Sequence, residues 1–145
     1  MSDESCPLPT PPTSDQRDAV RRMLSARRVA VVGLSDDPRR VSHQIGSYLR
    51  SVGKEVIPVN PNHAEVFGLK CYPSLQAVPG EIDLVNVFRR SEFAAGVVRD
   101  AIASKAKGVW LQVGVVSDQA KQLAEEAGLD FIQDRCIMVM HMQQG

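Results

Sequence analysis

The chain has 145 residues, enough for one domain that buries a substantial core. Its 17 lysines and arginines balance its 17 aspartates and glutamates, so no overall basic field attracts nucleic acid or an anionic membrane. Three scattered cysteines, Cys6, Cys71 and Cys136, do not form a disulfide framework or a paired metal-ligand motif, which favours a reducing cytoplasm.

The first thirteen residues, Met1 to Thr13, are rich in proline and serine and lack the apolar segment of a signal peptide. We predict a disordered tail over 1–13 and a single domain over 14–145. No apolar run approaches the roughly 20 residues that a membrane-spanning helix requires, so we expect no membrane segment.

Apolar strands alternate with one-faced helices along the rest of the chain. The pattern predicts, in chain order, an opening helix around 20–24, a strand at 29–32, a helix around 45–52, a strand at 55–59, a helical turn at 74–78, a strand at 84–88, a helix at 93–103, a strand at 108–113, a helix around 120–127, a strand at 129–132 and a short helix or turn at 137–141. Pro58 lacks an N–H, so its strand is expected at an edge or terminal position.

This alternation requires parallel pairing with right-handed crossovers. We therefore predict an α/β fold, a Rossmann-like doubly wound parallel sheet of about five strands in the order 3-2-1-4-5. Ligands of such sheets bind beyond the carboxyl ends of the strands, where the strand order reverses. That point is predicted between the strands at 29–32 and 108–113.

A glycine and a hydroxyl follow the first strand and precede a helix, a combination that can bind a phosphate. Gly33 would let backbone approach the phosphate, and Ser35 could donate a hydrogen bond to it. A tight turn with a simple helix cap explains the same residues equally well. Arg39, Arg40 and His43 lie nearby and could contact an anion, although each type is more often a solvated surface residue.

Polar residues also follow the later strands. Asn60 and Pro61 are explained by turn chemistry, or by a loop that holds adenine or ribose. Gln112 ends a strand and must find a partner or face the crevice, whereas Trp110 is expected in the core. Arg135 could lower the pKa of Cys136, but no accompanying base is visible, so a buried inert thiol is favoured over a nucleophile.

Six ordered blocks give the chain a resemblance to a known family. The blocks are Val-Val-Gly-Leu-Ser at 31–35, Val-Ile-Pro-Val-Asn-Pro at 56–61, Cys-Tyr-Pro-Ser-Leu at 71–75, Val-Phe-Arg-Arg at 87–90, Val-Trp-Leu-Gln-Val-Gly-Val at 109–115 and Asp-Arg-Cys-Ile at 134–137. Across about residues 14–142 the chain resembles small stand-alone CoA-binding proteins, which are similar to the CoA-binding domain of the succinyl-CoA synthetase α subunit.

The resemblance implies a set of positions that bind CoA or an acyl-CoA. They are Gly33, Leu34 and Ser35 in the phosphate loop, Arg39, Arg40 and His43 near it, Asn60 and Pro61 near the adenosine, Phe88 and Arg89 at a strand end, and Gln112 and Gly114 beside the pantetheine path. The synthetase's phosphorylated histidine lies in a second domain that has no counterpart here, so its catalysis is not carried over.

Three functions remain open at this stage. The leading one is a binding protein for CoA or an acyl-CoA that acts as carrier, sensor or regulatory module without catalysis of its own. The second is an enzyme, either an NAD(P) oxidoreductase or a Cys136-dependent thioester enzyme; Asn60 stands where NAD proteins usually carry an acidic residue. The third is a module that has lost its ligand and binds an unidentified protein partner.

Overall fold

A computed structural model of the protein describes residues 14–144, so the predicted tail at 1–13 lies outside the described residues and stays a prediction. The helices and strands within that range are α1 (Ser14–Leu24), β1 (Arg28–Val32), α2 (Val41–Ser51), β2 (Glu55–Val59), β3 (Glu65–Val66), β4 (Leu69–Lys70), β5 (Leu84–Val87), α3 (Ser91–Ala103), β6 (Gly108–Leu111), α4 (Asp118–Glu126), β7 (Asp130–Ile132) and α5 (Ile137–Gln144). A 3-10 turn at Leu75–Ala77 matches the predicted helical turn.

The main sheet has five strands in the order β2-β1-β5-β6-β7, and every neighbouring pair is parallel. The predicted Rossmann-like α/β class is therefore confirmed. β1 lies inside the sheet, which suits its unbroken apolar run, since both of its faces are covered. Pro58 lies in β2, the outer strand of this sheet, where the missing N–H is tolerated.

Numbered in chain order, the five strands run 2-1-3-4-5. Counting the single parallel bridge between Val59 and Tyr72 as a place beyond β2 gives 3-2-1-4-5-6, which contains the predicted 3-2-1-4-5 pattern. Assigning the strand at 84–88 to that place was wrong, because this strand, β5, pairs with β1. Between β2 and β5 the chain forms the β3–β4 hairpin and the 3-10 turn, and it pairs with β2 through this single bridge. It then crosses over the sheet, and β5 pairs with β1 on the other side.

This pairing also corrects the expected position of the crevice. The strand order reverses between β1 and β5, not between β1 and the strand at 108–113. Gln112 and Gly114, which follow β6, therefore lie one strand further from β1 than expected.

Helices cover both faces of the sheet and bury one apolar cluster on each side. One cluster contains Val29, Val31, Leu84 and Trp110 together with apolar residues of α1, α2 and α5. The other contains the alternate strand residues together with α3, α4 and the 3-10 turn. Trp110 is fully buried, as predicted, and its Nε1 donates to the Arg135 carbonyl at 2.9 Å.

We predict that Gly33→Ala lowers the free energy of unfolding by about 1–2 kcal/mol. Gly33 has a φ of +88°, and a Cβ there would lie 3.3 Å from the Phe88 carbonyl oxygen. Urea unfolding measures the change. The control is Gly96→Ala in α3, where a Cβ meets open space and helix propensity should raise stability by up to about 1 kcal/mol. Equal effects of the two substitutions would contradict the argument.

Candidate functional site

The candidate site lies at the carboxyl edge of the sheet, where β1 and β5 end side by side. The turn after β1 is held by two backbone hydrogen bonds, from Gly33 N to the Val59 carbonyl at 2.8 Å and from Phe88 N to the Val32 carbonyl at 2.9 Å. An ideal Cβ on Gly33 would lie 3.4 Å from the Phe88 Cβ, so only glycine lets the turn pass this closely.

Two serines fix the loop between β1 and α2. Ser35 N donates to the Ser42 hydroxyl at 3.0 Å, and the Ser35 hydroxyl accepts from Asp37 N at 3.0 Å. The Ser35 hydroxyl, predicted to bind phosphate, therefore also shapes the loop that leads into the helix. Leu34 is fully buried and anchors the loop to the core.

The start of α2 combines a helix N-terminus with two arginines. The Arg40 side chain makes no capping hydrogen bond, and within residues 14–144 its guanidinium forms no ion pair. Arg39 instead grips Asp37 through Nε at 3.1 Å and Nη2 at 3.0 Å, and this contact lowers the pKa of the Asp37 carboxyl. Arg40 is consequently the freer of the two cations for an anion at the helix N-terminus.

His43 follows in the first turn of α2 and is half-buried. The His43 ring packs against the Phe67 ring with the two centroids 4.5 Å apart. The Arg50 guanidinium also stacks on the Phe67 ring, 4.9 Å from its centroid. Phe67, beside the β3–β4 hairpin, thus ties the hairpin to α2. His43 lies close to the predicted phosphate loop, but part of its surface is used in this packing.

Asn60 links the loop after β2 to the loop after β1. Its Nδ2 donates to the Leu34 carbonyl at 3.1 Å, and its Oδ1 accepts from Asn62 N at 2.9 Å. The Asn60 side chain therefore stabilises its own turn, as turn chemistry predicts, and also supports the Gly33–Ser35 turn through the Leu34 carbonyl. Pro61 is exposed within the same turn.

Phe88 and Arg89 follow β5 and face the crevice. Phe88 is half-buried against the cluster on the α2 side of the sheet, whereas Arg89 is exposed. The Arg89 guanidinium lies 4.2 Å from the centroid of the Phe93 ring, a cation–π contact at the start of α3. This contact holds a positive charge at the edge of the crevice.

Gln112 and Gly114, after β6, fasten the chain segment that follows β7. The Gln112 side chain is only 4% exposed, and its Oε1 accepts from Ile137 N at 3.0 Å, at the buried start of α5. Gly114 N donates to Asp134 Oδ1 at 2.8 Å. Gln112 therefore has a hydrogen-bond partner, as its burial requires, and that partner is the first N–H of α5.

The structure brings most of the predicted residues together, but sequence reasoning missed two side chains that order the loop after β1 and one buried polar side chain in β5. Asp37 and Ser42 hold Ser35 and Arg39 in place through hydrogen bonds. The only sequence signal for this role was the short spacing of these two residues from Ser35. Asn86 in β5 is fully buried, and neither atom of its amide has a hydrogen-bond partner among residues 14–144. A lone amide inside the apolar run at 84–88 was the available signal.

Two cysteines and a histidine of the described residues lie outside the set above. Cys71 is buried, and burial raises the pKa of its thiol. Cys136 is half-buried, while the histidine five residues on, His141, bonds through Nδ1 to the Tyr48 hydroxyl at 2.7 Å. Within residues 14–144 no cluster of three metal-ligating side chains occurs, and no helix is long and apolar enough to cross a membrane.

Comparison with known proteins identifies the family. The model of the CoA binding domain matches residues 27–142, which include every candidate site residue. The chain belongs to the CoA-binding domain family. YneT of Bacillus subtilis is 45% identical to this CoA-binding domain over 116 residues, 80% of the chain and 86% of YneT.

Two further relatives show the range of proteins that carry the domain. A protein of Pyrococcus horikoshii OT3 superposes with a TM-score of 0.85 at 33% identity, covering 94% of this chain and 98% of that one. The α subunit of ADP-forming acetate–CoA ligase II of Pyrococcus furiosus is 28% identical over 129 residues. The match covers 81% of this chain but only 28% of the ligase subunit.

We predict that Gln112→Leu lowers the free energy of unfolding by about 1–3 kcal/mol, because it leaves the buried Ile137 N–H without an acceptor. Urea unfolding followed by circular dichroism measures the loss. Gln119→Leu, an exposed glutamine of α4, serves as the matched control and should change stability by less than about 0.5 kcal/mol. Unchanged stability of the Gln112 variant would show that the contact contributes nothing.

Proposed function

We propose that this protein binds CoA or an acyl-CoA at the crevice between β1 and β5 and acts as a carrier, sensor or regulatory module without catalysis of its own. The proposal rests on one observation in a chain of the CoA-binding family. The tight turn at Gly33 is followed by the N-terminus of α2, where the N-cap side chain makes no hydrogen bond. The cytoplasm, where CoA is used, is the proposed location.

Charge around the crevice supports a ligand with several phosphates. Arg40 immediately precedes α2, and Arg89 and Arg90 follow β5, so cationic side chains flank both strands that border the crevice. The α2 N-terminus adds partial positive charge and free N–H groups. A pyrophosphate and a 3′-phosphate together suit such an arrangement better than a single phosphate does.

The end of β2 argues against NAD as the ligand. NAD proteins usually place an acidic residue there to bind the ribose hydroxyls. This chain has Asn60, whose amide is already bonded to the Leu34 carbonyl and to Asn62 N. NADP remains the stronger of the two nicotinamide alternatives, because arginines tolerate a 2′-phosphate.

The match to the ligase does not assign the ligase's activity to this chain. The chain spans only 28% of the ligase α subunit, so most of that protein has no counterpart in the matched region. A CoA-binding domain acting alone would hold the ligand for a protein partner that supplies the chemistry. We propose such a protein partner without assigning its identity. The proposal involves neither nucleic acid nor a membrane.

We predict that CoA raises the melting temperature of the protein and that NAD at the same concentration raises it less. A ligand at one hundred times its dissociation constant stabilises the folded state by about 2.7 kcal/mol. A thermal-shift panel with CoA, acetyl-CoA, NAD, NADP and ATP measures the ranking. Equal or greater protection by NAD or NADP would reverse the choice of ligand, and protection by none would favour the protein-interaction module.

We predict that Arg40→Ala weakens CoA binding about tenfold and that adding Arg39→Ala weakens it further. Arg40 forms no ion pair within the described residues, whereas Arg39 is already held by Asp37. Titration calorimetry measures both variants, and the loss should shrink at high salt, because both side chains are exposed. Arg99→Ala on α3 is the control. An unchanged affinity in the double variant would make the two arginines surface residues.

A further inference from the structure

Two side chains within residues 14–144 bury polar atoms without a hydrogen-bond partner, Asn86 and Ser104, and only Asn86 does so with both atoms of an amide. Asn86 is 0% exposed, and both Oδ1 and Nδ2 lack a hydrogen-bond partner in the described part of the chain. Buried amides are normally paired, because leaving them unpaired costs free energy. A leucine has the same branching at Cγ without the polar atoms, so it would suit the surrounding apolar cluster better.

Asn86 lies near the carboxyl end of β5, at the edge of the sheet that carries the candidate site. Asn86 is in β5, in register with Val31 of β1 and with Trp110 of β6. Side chains alternate along a strand, so Asn86 and Phe88 share a face of the sheet. Phe88 lies about 7 Å closer than Asn86 to the carboxyl edge. That face is the one that α2 and α5 cover.

Phe88 is the side chain between Asn86 and the crevice. It is half-buried, and it stands against the Gly33 turn, where an ideal Gly33 Cβ would lie 3.4 Å from the Phe88 Cβ. A rotation of the half-exposed Phe88 ring would open a path from the crevice to the amide. No backbone hydrogen bond has to break for this movement, since Phe88 N bonds to the Val32 carbonyl.

We propose that Asn86 recognises the amide groups of the pantetheine arm, an inference that rests on the proposed binding of CoA. Both Asn86 atoms need partners, so the ligand segment must accept one hydrogen bond and donate another. Each trans amide of the arm points its N–H and its C=O in opposite directions, so the two amides of the arm together supply one acceptor and one donor, whereas phosphate oxygens and a thioester carbonyl only accept. The arm is also narrow and largely apolar, which suits a path lined by Phe88.

The test compares Asn86→Leu with the wild type for two ligands. We expect the variant to melt at a higher temperature, because it removes an unpaired amide. We expect its affinity for CoA to fall about tenfold and its affinity for adenosine 3′,5′-bisphosphate, which lacks the pantetheine arm, to stay within twofold. Titration calorimetry measures both affinities, and Gln119→Leu controls for loss of an exposed amide.

Each other outcome overturns a defined part of the inference. Unchanged CoA affinity in a folded variant removes Asn86 from the site, and equal losses for both ligands assign the amide to the adenosine end. A lower melting temperature for both Asn86→Leu and Asn86→Ala, or failure of both to fold, gives Asn86 a purely structural role. Failure of the wild type to bind CoA at all refutes the proposed function instead.

Discussion

The close passage of the Gly33 turn against Phe88 is the constraint on which the candidate site depends. It joins the ends of two parallel strands whose helices leave on opposite faces of the sheet, α2 on one side and α3 on the other. The crevice opens where those helices diverge. A side chain at Gly33 would meet Phe88 backbone at 3.3 Å and would separate the strand ends that define the crevice.

Around that contact, the loops are braced by one another before any ligand binds. Asn60 holds the Leu34 carbonyl, Ser42 holds Ser35 N, and Gln112 holds the start of α5. These bonds order the loops during folding, so a ligand would not have to supply that ordering on binding. Several residues predicted as ligand contacts therefore act first as supports, and a preformed site can be lined by backbone N–H groups and a few arginines.

The sequence predicted the fold well because burial leaves a periodic record. Unbroken apolar runs indicated the parallel strands, and Pro58 indicated the outer strand. It predicted the strand at 84–88 correctly but misplaced it in the sheet, because the third place is held by one bridge at Tyr72, which has no periodicity to detect. Hydrogen-bond partners such as Asp37 for Arg39 were equally invisible, since they depend on loop conformation rather than on pattern.

The buried polar groups of the sheet differ in whether the fold gives them a partner. Trp110 and Asn86 are neighbours on the same face, and both are fully buried. The indole N–H is paired with the Arg135 carbonyl, so its polarity strengthens the link between β6 and the segment before α5. The Asn86 amide has no such partner in the described structure and adds no comparable support. Burial alone would favour an apolar side chain there, so its unpaired amide near the carboxyl end of β5 is the observation from which the proposed role in binding is argued.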